Sequence, residues 1–494
     1  KEILTQYANT VDFGHNAYGI KTAAQTYFNT TPDKLTTDQC AILVGMLKAT
    51  TYYNPISHPE NCIQRRNVVL DNMRTHGDLS QEDFDTLKQE DIDVSEFKVE
   101  ENYDGQAKYF REAVAKYLSS WCEETGYDLY TSGLKIYTTL DSRMQKYAEQ
   151  AAVKQMRQVQ RNFRNHWGNE NPWQDEKHQE IAGFIEDIAK KQSVYKQLQS
   201  KYPDQPDSIT YYLNKPHKVK LFDYEKGEIE MEMSTMDSIR YMVRFMHCAF
   251  VAMEPQTAHV KAWVGDIDFN HWKYDKVTAQ RQPGSTFKLF VYTEAMEQGL
   301  TPCDKRRDEY FSMKVWDATK KQEVTWAPTN ANGTFSNDSM PLRAAFARSI
   351  NSVAVRLGQE MGIKNIIETA HVMGIKSPLD EAPALALGSS DVNLLEMANA
   401  YSTVANDGKA HPEAILVTKI LDREGNEIYV APSEQKQAIS LKAAYFMQKL
   451  LQAGMRDAGG TSQSLWGYVG EFRDTEFGGK TGTTNNHSDA WFMG

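Results

Sequence analysis

The sequence predicts an α+β protein in which an all-helical N-terminal segment precedes a larger domain built on an antiparallel sheet. Apolar residues recur at helical spacing across residues 1–76. Short apolar strands at 250–253 and 260–264 flank a turn, and after a mostly helical stretch strands return at 414–421 and 427–430. Strands, then helices, then strands again are typical of the α+β class.

Size and composition limit the classes of protein and partner. With 494 residues, the chain is long enough for more than one core, since single cores rarely grow beyond about 300 residues. The formal net charge of −11 argues against a nucleic-acid surface, which would require a basic face. The longest apolar run, 40–47, is far shorter than the ~20 residues of a membrane-spanning helix.

The two ends and the cysteines carry further expectations. The chain starts at Lys1 inside a helical pattern and stops in the apolar run 491–494, so we expect a fragment cut at both ends, with any signal peptide or anchor upstream.

The cysteines are odd in number and widely scattered, which predicts mostly free, buried thiols and leaves the compartment open. They are Cys40, Cys62, Cys122, Cys248 and Cys303.

Within the N-terminal segment the helices are expected at 1–9, 20–28 and 65–73, with a fourth helix that starts at a capping box of Thr36 and Gln39. Residues 77–132 are acidic and aromatic and predict a helical linker. A strand and an Asp141-capped helix then occupy 133–160.

Residues 161–247 form a polar, aromatic-bearing insert, which we expect to be an accessory module. Strands are predicted at 218–222 and 228–233, and a helix at 238–247. Four potential metal ligands occur in the insert without ligand spacing, so no metal site is predicted. They are His166, Asp175, His178 and Glu180.

The stretch 282–299 carries the first chemical pattern. Pro283 and Gly284 precede Ser285, and apolar residues then follow at helical spacing, so the serine lies in the first turn of a helix and shares a face with Lys288. A lysine amine that is held neutral can take the proton of a serine nucleophile, and the helix N-terminus favours an oxyanion. Alone, the pattern is better explained by a capped surface helix, because a serine three residues before a lysine occurs by chance in most long chains.

Two further patterns follow. Ser349 and Asn351 lie two positions apart in a helix-like run, 343–357, where a hydroxyl and an amide can relay a proton and hold a peptide. Lys480 stands in GGKTGTT, which continues through Asn485, Asn486 and His487 to a second strand and predicts a β-hairpin. Such an edge strand can pair with an extended peptide, while the lysine suits a carboxylate.

Ser-x-x-Lys, Ser-x-Asn and Lys-Thr-Gly in this order are the signature of penicillin-binding proteins and class A β-lactamases. With the flanks RQPGSTFK, RAAFARSINSVAVRLG and ALALGSSDVNLLEMANAYSTVANDG, the chain from 133 to 494 outside the insert resembles the transpeptidase part of a class A penicillin-binding protein. The resemblance implies a β-lactamase-like fold over 248–494. In the family a further strand and a C-terminal helix follow the last strand seen here, so we expect an open sheet edge.

The resemblance also implies roles for individual residues. Ser285 would be the nucleophile that opens the terminal D-Ala-D-Ala bond, Lys288 its base and Ser349 the proton relay. Asn351 would hold the peptide, and the backbone N–H groups of Ser285 and Thr483 would form the oxyanion hole. The carboxylate-binding strand would contribute Lys480, Thr481, Gly482 and Thr483.

Residues 1–28 (KEILTQYANTVDFGHNAYGIKTAAQTYF) and 47–73 (LKATTYYNPISHPENCIQRRNVVLDNM) resemble the C-terminal part of the lysozyme-like glycosyltransferase domain of the same family. The family's catalytic acidic residues lie upstream of this segment, so we expect the fragment to lack that activity. His15 and Asn16 stand where the family usually has Arg-Gly, which favours a structural loop over a substrate contact.

Three alternatives stay open. A β-lactamase would need a glutamate that activates water, but no E-x-x-L-N pattern follows Asn351. A D,D-carboxypeptidase would pass the acyl group to water, and a non-catalytic envelope scaffold would keep only the fold.

The partners implied by the resemblance are peptidoglycan stem peptides and β-lactam inhibitors, with no cofactor and no nucleic acid. For the parent protein the resemblance adds a lipid-linked disaccharide, the membrane and envelope activator proteins. The implied location is the extracytoplasmic face of the cell envelope, with the parent anchored in the inner membrane.

Overall fold

The computed structural model describes residues 2–15, 17–97, 105–175, 177–317, 321–472, 474–484 and 488–494. The chain divides into two compact units. The first comprises Lys1–Arg111, Ala115–Lys135 and Leu421–Asn426, and the second comprises Glu112–Val114, Ile136–Ile420 and Glu427–Gly494.

The first unit is helical. The Thr36 hydroxyl accepts from the Gln39 N–H while the Gln39 side chain accepts from the Thr36 N–H, so the predicted capping box is confirmed. Tyr27 lies in the core and donates to the carbonyl of Phe13 at 2.8 Å. Helices that lie wholly or mostly in this unit are Glu2–Thr10, Gly19–Phe28, Thr37–Met46, Pro59–His76, Gln81–Leu87 and Lys108–Thr125.

The insert forms a small core of its own within the second unit, where Trp173, Ile209 and Met236 pack together. The predicted hairpin is confirmed, and the helix that follows begins earlier than expected because Ser234 caps it through the Asp237 N–H. Three helices between 184 and 214 were not predicted. The elements from 142 to 243 are Ser142–Trp167, Phe184–Lys191, Ser193–Lys201, Pro206–Asn214, His217–Asp223, Gly227–Met233 and Thr235–Val243.

The rest of the second unit packs helices around the buried helix Lys288–Glu297, here called the Lys288 helix. All residues from 288 to 296 are buried, including the polar Lys288, Thr293 and Glu294, so this helix lies inside the core on all sides instead of presenting one amphipathic face. The other helices are Leu342–Ala347, Asn351–Met361, Ile363–Val372, Leu394–Ala405, Leu441–Arg456 and Trp466–Val469, with 3₁₀ turns at Gly284–Phe287, Pro383–Leu387 and Gln463–Leu465.

The α+β class is confirmed, with the strands spread over several small antiparallel sheets. Lys135–Thr138, Val417–Leu421 and Glu427–Val430 form the one sheet of three strands among the described residues. The paired strands are Phe250–Glu254 with His259–Val264, Lys305–Arg307 with Ser339–Pro341, Met313–Asp317 with Gln322–Trp326, Lys409–Ala410 with Lys436–Gln437, and Lys480–Thr483 with Ala490–Met493.

A groove of about 750 Å³ is lined by the strand Phe250–Glu254 and the strand Ala490–Met493, together with residues of the helices Leu394–Ala405 and Leu441–Arg456. The described strands lining it are paired on one side only, with their hairpin partners. This arrangement matches the expectation of an open sheet edge.

The helix-like run 343–357 is in fact two helices. The first ends at Ala347, and Ser349 then adopts a left-handed conformation with φ 59°. The N–H of Ser349 donates to the carbonyl of Phe346 and the N–H of Ile350 donates to that of Ala345, which is the Schellman arrangement of a helix C-terminus. The expectation of a continuous helix was wrong because a serine in the left-handed region ends it.

The cysteines differ in exposure. Cys62 is buried as expected, but Cys303 is exposed and the remaining three are partly buried, so the expectation of mostly buried thiols was wrong. Across the described ranges, no helix is both long enough and apolar enough to cross a bilayer.

Candidate active site

The serine turn Gly284–Phe287 leads directly into the Lys288 helix. Ser285 is half-buried at its start, and Lys288 follows one turn later with a fully buried side chain. The predicted helical placement of both residues is confirmed.

Three glycines bring separate segments against this turn. A Cβ on Gly284 would lie 2.5 Å from the Thr483 carbonyl oxygen, one on Gly482 would lie 2.4 Å from that of Pro283, and one on Gly388 would lie 2.2 Å from that of Gly284. Real Cβ atoms do not approach so closely, so only glycine fits at these contacts. The serine turn is therefore held, main chain against main chain, between the Lys480–Thr483 strand and the turn that ends at Gly388.

The Lys288 amine contacts three atoms of two residues, Ser349 and Asn351. Its Nζ donates to the Ser349 carbonyl at 2.9 Å and to Asn351 Oδ1 at 2.7 Å, and Ser349 Oγ lies at 3.3 Å. Burial, helped by the nearby Lys480 cation, lowers the pKa of Lys288 well below its usual value. A neutral amine has two N–H donors and one lone pair, so the carbonyl and the amide can occupy both donors and leave the lone pair available as a base.

Lys480, the first residue of the strand Lys480–Thr483, contacts Ser349 from the other side of the cleft. Its Nζ donates to Ser349 Oγ and to the Thr481 carbonyl, both at 2.9 Å, and its side chain is 1% exposed. Burial lowers the pKa of Lys480 to about 7. The Ser349 hydroxyl thus lies between the two amines and can pass a proton from one group to another.

The predicted site residues from three distant segments converge. Ser349, Asn351 and Lys480 are joined to Lys288 directly or through one hydroxyl, and Gly482 packs on the serine turn. In the described part of the chain, Ser285 Oγ has no recorded hydrogen bond. The predicted hairpin residues Asn485, Asn486 and His487 lie outside the described residues.

Sequence reasoning missed the outer contacts of this network. Asn351 Nδ2 donates to the Thr329 carbonyl at 2.8 Å, and Thr481 Oγ1 donates to Thr461 Oγ1 at 2.7 Å. Asn330 Oδ1 accepts from the Asn351 N–H at 2.9 Å. These three residues lie in loops with no periodic pattern, and a contact to a backbone carbonyl leaves no mark on residue type, so the sequence offered no indication of them.

No metal chemistry is indicated by the described side chains, because they contain no group of three or more His, Cys, Asp or Glu residues placed to hold an ion. In the described ranges, the Lys288 and Lys480 amines donate to hydroxyl, amide and carbonyl groups, the Ser349 hydroxyl contacts the two amines, and none of these partners is a carboxylate. The arrangement suits a serine nucleophile with an amine base.

Comparison with protein families gives three matches along the chain. Residues 1–74 match the transglycosylase family, residues 168–246 match the penicillin-binding protein middle domain, and residues 248–494 match the penicillin-binding protein transpeptidase domain. The last match includes half of the chain and every predicted site residue.

Individual relatives agree with these matches. Penicillin-binding protein 1A of Neisseria flavescens is 30% identical over 525 residues, covering 100% of this chain and 63% of that protein. Penicillin-binding protein 2D of Bacillus subtilis is 27% identical, with 100% and 58% covered. The chain therefore spans less than two thirds of the length of these relatives.

Among solved structures, penicillin-binding protein 1A from Haemophilus influenzae is similar to this chain with a TM-score of 0.63 and 25% sequence identity. The similarity covers 99% of this chain and 78% of that one.

Proposed function

The chain belongs to the class A penicillin-binding proteins, and from this premise we propose that residues 248–494 act as a serine D,D-transpeptidase that cross-links peptidoglycan stem peptides. The observation that carries the proposal is the network in which Lys288, Ser349, Asn351 and Lys480 meet beside the Ser285 turn.

Acylation follows from this network. Ser285 Oγ attacks the carbonyl of the penultimate D-Ala, and its proton moves to the neutral Lys288 amine. The N–H groups of Ser285 and Thr483 stabilise the oxyanion. Lys288 then returns a proton through Ser349, whose hydroxyl donates to the departing nitrogen, so the C–N bond breaks and D-Ala leaves as a neutral amine.

Substrate binding uses the cation on the strand. Protonated Lys480, with Thr481 and Thr483, binds the terminal carboxylate, and this negative charge favours the protonated amine. A bound carboxylate therefore raises the pKa of Lys480 above about 7, its value without substrate. A protonated Lys480 in turn helps to keep Lys288 neutral, because two adjacent cations repel each other.

Deacylation reverses these steps with a different amine. The amino group of a second stem peptide attacks the Ser285 ester, loses its proton through Ser349 and Lys288, and forms the cross-link as Ser285 leaves. The absence of a carboxylate from the recorded partners of these residues, within the described ranges, supports slow hydrolysis. It therefore favours transpeptidase over β-lactamase, and penicillins are then long-lived acylating inhibitors.

For the whole protein we propose peptidoglycan synthesis at the extracytoplasmic face of the cell envelope. The transglycosylase match over 1–74 supports a parent that also polymerises glycan strands from a lipid-linked disaccharide. We propose that the chain is divided into five segments, with limits at 1–76, 77–132, 133–160, 161–247 and 248–494.

The test is intact-mass analysis of the native protein and of Ser285→Ala after incubation with a penicillin. We expect one persistent adduct of the antibiotic's mass on the native protein and none on the variant. Equal labelling of both would remove Ser285 from its role.

A second measurement separates transpeptidase from D,D-carboxypeptidase. A D-Ala-D-Ala peptide is supplied with and without an amine acceptor, and the products are weighed. Transfer to the amine at the expense of hydrolysis is expected, whereas hydrolysis alone would favour the carboxypeptidase, and no turnover or acylation would favour a scaffold.

A further inference from the structure

The turn that carries Ser349 and Asn351, here called the SIN turn (residues 349–351), lacks a local cap. Ser349 has φ 59°, in the left-handed region that is unfavourable for a non-glycine residue. The helix Asn351–Met361 begins after Ile350, whose apolar side chain makes no capping hydrogen bond. The N–H groups of Ser349 and Ile350 bond to the preceding helix, but those of Asn351 and Ser352, at the start of the next helix, need an acceptor from outside the turn.

Asn330 supplies that cap from a distant loop. Its Oδ1 accepts from the N–H of Asn351 at 2.9 Å and from that of Ser352 at 3.2 Å. The Asn330 side chain is buried, at 6% exposure, so loss of these bonds would leave buried donors unpaired.

Asp308 fixes the orientation of the Asn330 amide. Asp308 Oδ1 accepts from Asn330 Nδ2 at 2.7 Å and from Ser352 Oγ at 2.6 Å, while Oδ2 accepts from the Ser336 N–H at 2.9 Å. Burial disfavours ionisation of this carboxyl, but the hydrogen bonds outweigh it and hold the pKa of Asp308 below its usual value. Because a carboxylate only accepts, Asn330 must turn its NH₂ group toward Asp308 and its oxygen toward the helix.

We propose that Asp308 and Asn330 are positioning residues of the acylation site, which together hold the SIN turn where Ser349 and Asn351 contact the two lysine amines. This inference rests on the proposed acylation at Ser285. Within the described part of the chain, neither residue forms a hydrogen bond or an ion pair with Lys288. They act through the turn, whose Ser349 carbonyl and Asn351 Oδ1 are the acceptors of Lys288.

Exchanging the side chains of Asp308 and Asn330 tests whether the contact between them controls the acylation rate. Asn330→Asp keeps the cap but sets a second carboxylate against Asp308, and we expect a fluorescent penicillin to acylate it 10- to 100-fold more slowly, the order of loss that a small misplacement causes. In Asp308→Asn/Asn330→Asp the amide and the carboxylate have changed places, so part of the rate should return. The rescue is incomplete because the Thr334 carbonyl, which accepts from Asn330 Nδ2 at 2.9 Å, then faces a carboxylate. A folded double variant no faster than the single one would overturn the proposal.

Ser352→Ala covers the case in which Asn330→Asp does not fold. It removes one donor to Asp308, and a loss of about fivefold in the acylation rate constant at saturating penicillin is expected, equivalent to one hydrogen bond. If folded Ser352→Ala has the same acylation rate constant as the native protein, a positioning role is contradicted.

The lysines provide a readout that does not need acylation. With ¹³C-labelled lysine, NMR titration of Asn330→Ala should show the pKa of Lys480 rising from about 7, because a loosened turn admits water. The matched control is Asn399→Ala, an equally buried amide that donates to the His411 carbonyl, which should lose stability without moving either lysine or the acylation rate.

An unchanged lysine titration in folded Asn330→Ala overturns the proposal. A shifted titration in a protein that no penicillin labels supports the positioning role and removes the proposed function instead.

Discussion

The catalytic cleft and the insert use charged side chains in opposite ways. In the cleft, Lys288 and Lys480 are almost fully buried, with lowered pKa values and neutral acceptors around them. In the insert hairpin, Lys218 and Lys220 pair across the strands with Glu230 and Glu228 at the exposed surface. The first arrangement costs stability and produces reactivity, whereas the second gives solubility and little energy.

The two regions also differ in their glycines. Gly284 and Gly227 both have positive φ, 54° and 76°. A Cβ at Gly284 would meet the main chain of Thr483, whereas none of the surrounding atoms lies within 4 Å of a Cβ at Gly227. Similar backbone conformations therefore serve a packed site in one region and a plain turn in the other.

The largest expected effect comes from replacing one lysine in each region. Lys288→Met removes the base, and we expect penicillin acylation to fall about 10²- to 10⁴-fold, with folding stability kept or increased because a buried amine is gone. Lys220→Met in the insert should leave acylation unchanged. Stopped-flow acylation and urea unfolding measure the two quantities, and a Lys288→Met protein that acylates normally would end the proposed base role.

Alanine at the paired glycines gives the next effect. Gly284→Ala should slow acylation by about 100-fold and lower the free energy of unfolding by ~3 kcal/mol, because the new methyl group displaces the Lys480–Thr483 strand. Gly227→Ala should cost ~1 kcal/mol from its backbone conformation alone and leave acylation unchanged. Similar results for both variants would show that the close contacts at Gly284 do not matter.

The pH dependence of stability gives a moderate effect. The pKa of Lys480 is about 7 in the folded protein against an ordinary value of 10.5, so between these values the unfolded chain holds a proton that the folded chain has released. Stability should therefore rise with pH from about 7 toward 10. Lys480→Met should lower that slope by up to ~1.4 kcal/mol per pH unit in denaturant unfolding, while Lys220→Met should leave it unaltered.

The smallest effect is expected at the insert core. Trp173 Nε1 donates to Glu180 Oε1 at 2.7 Å, and this bond is the leading reason that the pKa of Glu180 is lowered. Glu180→Gln should reduce the melting temperature slightly, more so at pH 7 than at pH 3, with no change in acylation. A change in acylation rate would mean that the insert takes part in the chemistry.

The same contrast explains what the sequence could predict. Ser285, Lys288 and Lys480 lie in short motifs whose residue types follow from the chemistry, and the helix and the hairpin that carry them are confirmed. Ser349 and Asn351 were also found, but the break at Ser349 was not, because a serine in the left-handed region has no sequence mark comparable to glycine.

Prediction failed where long-range contacts decide the structure. The role of Asn330 depends on Asp308, 22 residues earlier, and on a helix start 21 residues later. The insert helices from 184 to 214 have only eight or nine residues each, which is too short to be stable alone, and packing around Trp173 and Ile209 holds them.

If penicillins acylate Ser285 as proposed, the close main-chain contacts of Gly284, Gly388 and Gly482 at the serine turn also limit how antibiotic resistance can evolve. Where backbone touches backbone, there is no side chain to enlarge or trim, so mutations there cost folding before they alter drug affinity. Under the proposed function, resistance substitutions should instead accumulate in the loop segments 327–330 and 457–462, where the Thr329 carbonyl contacts Asn351 and the Thr461 hydroxyl contacts Thr481.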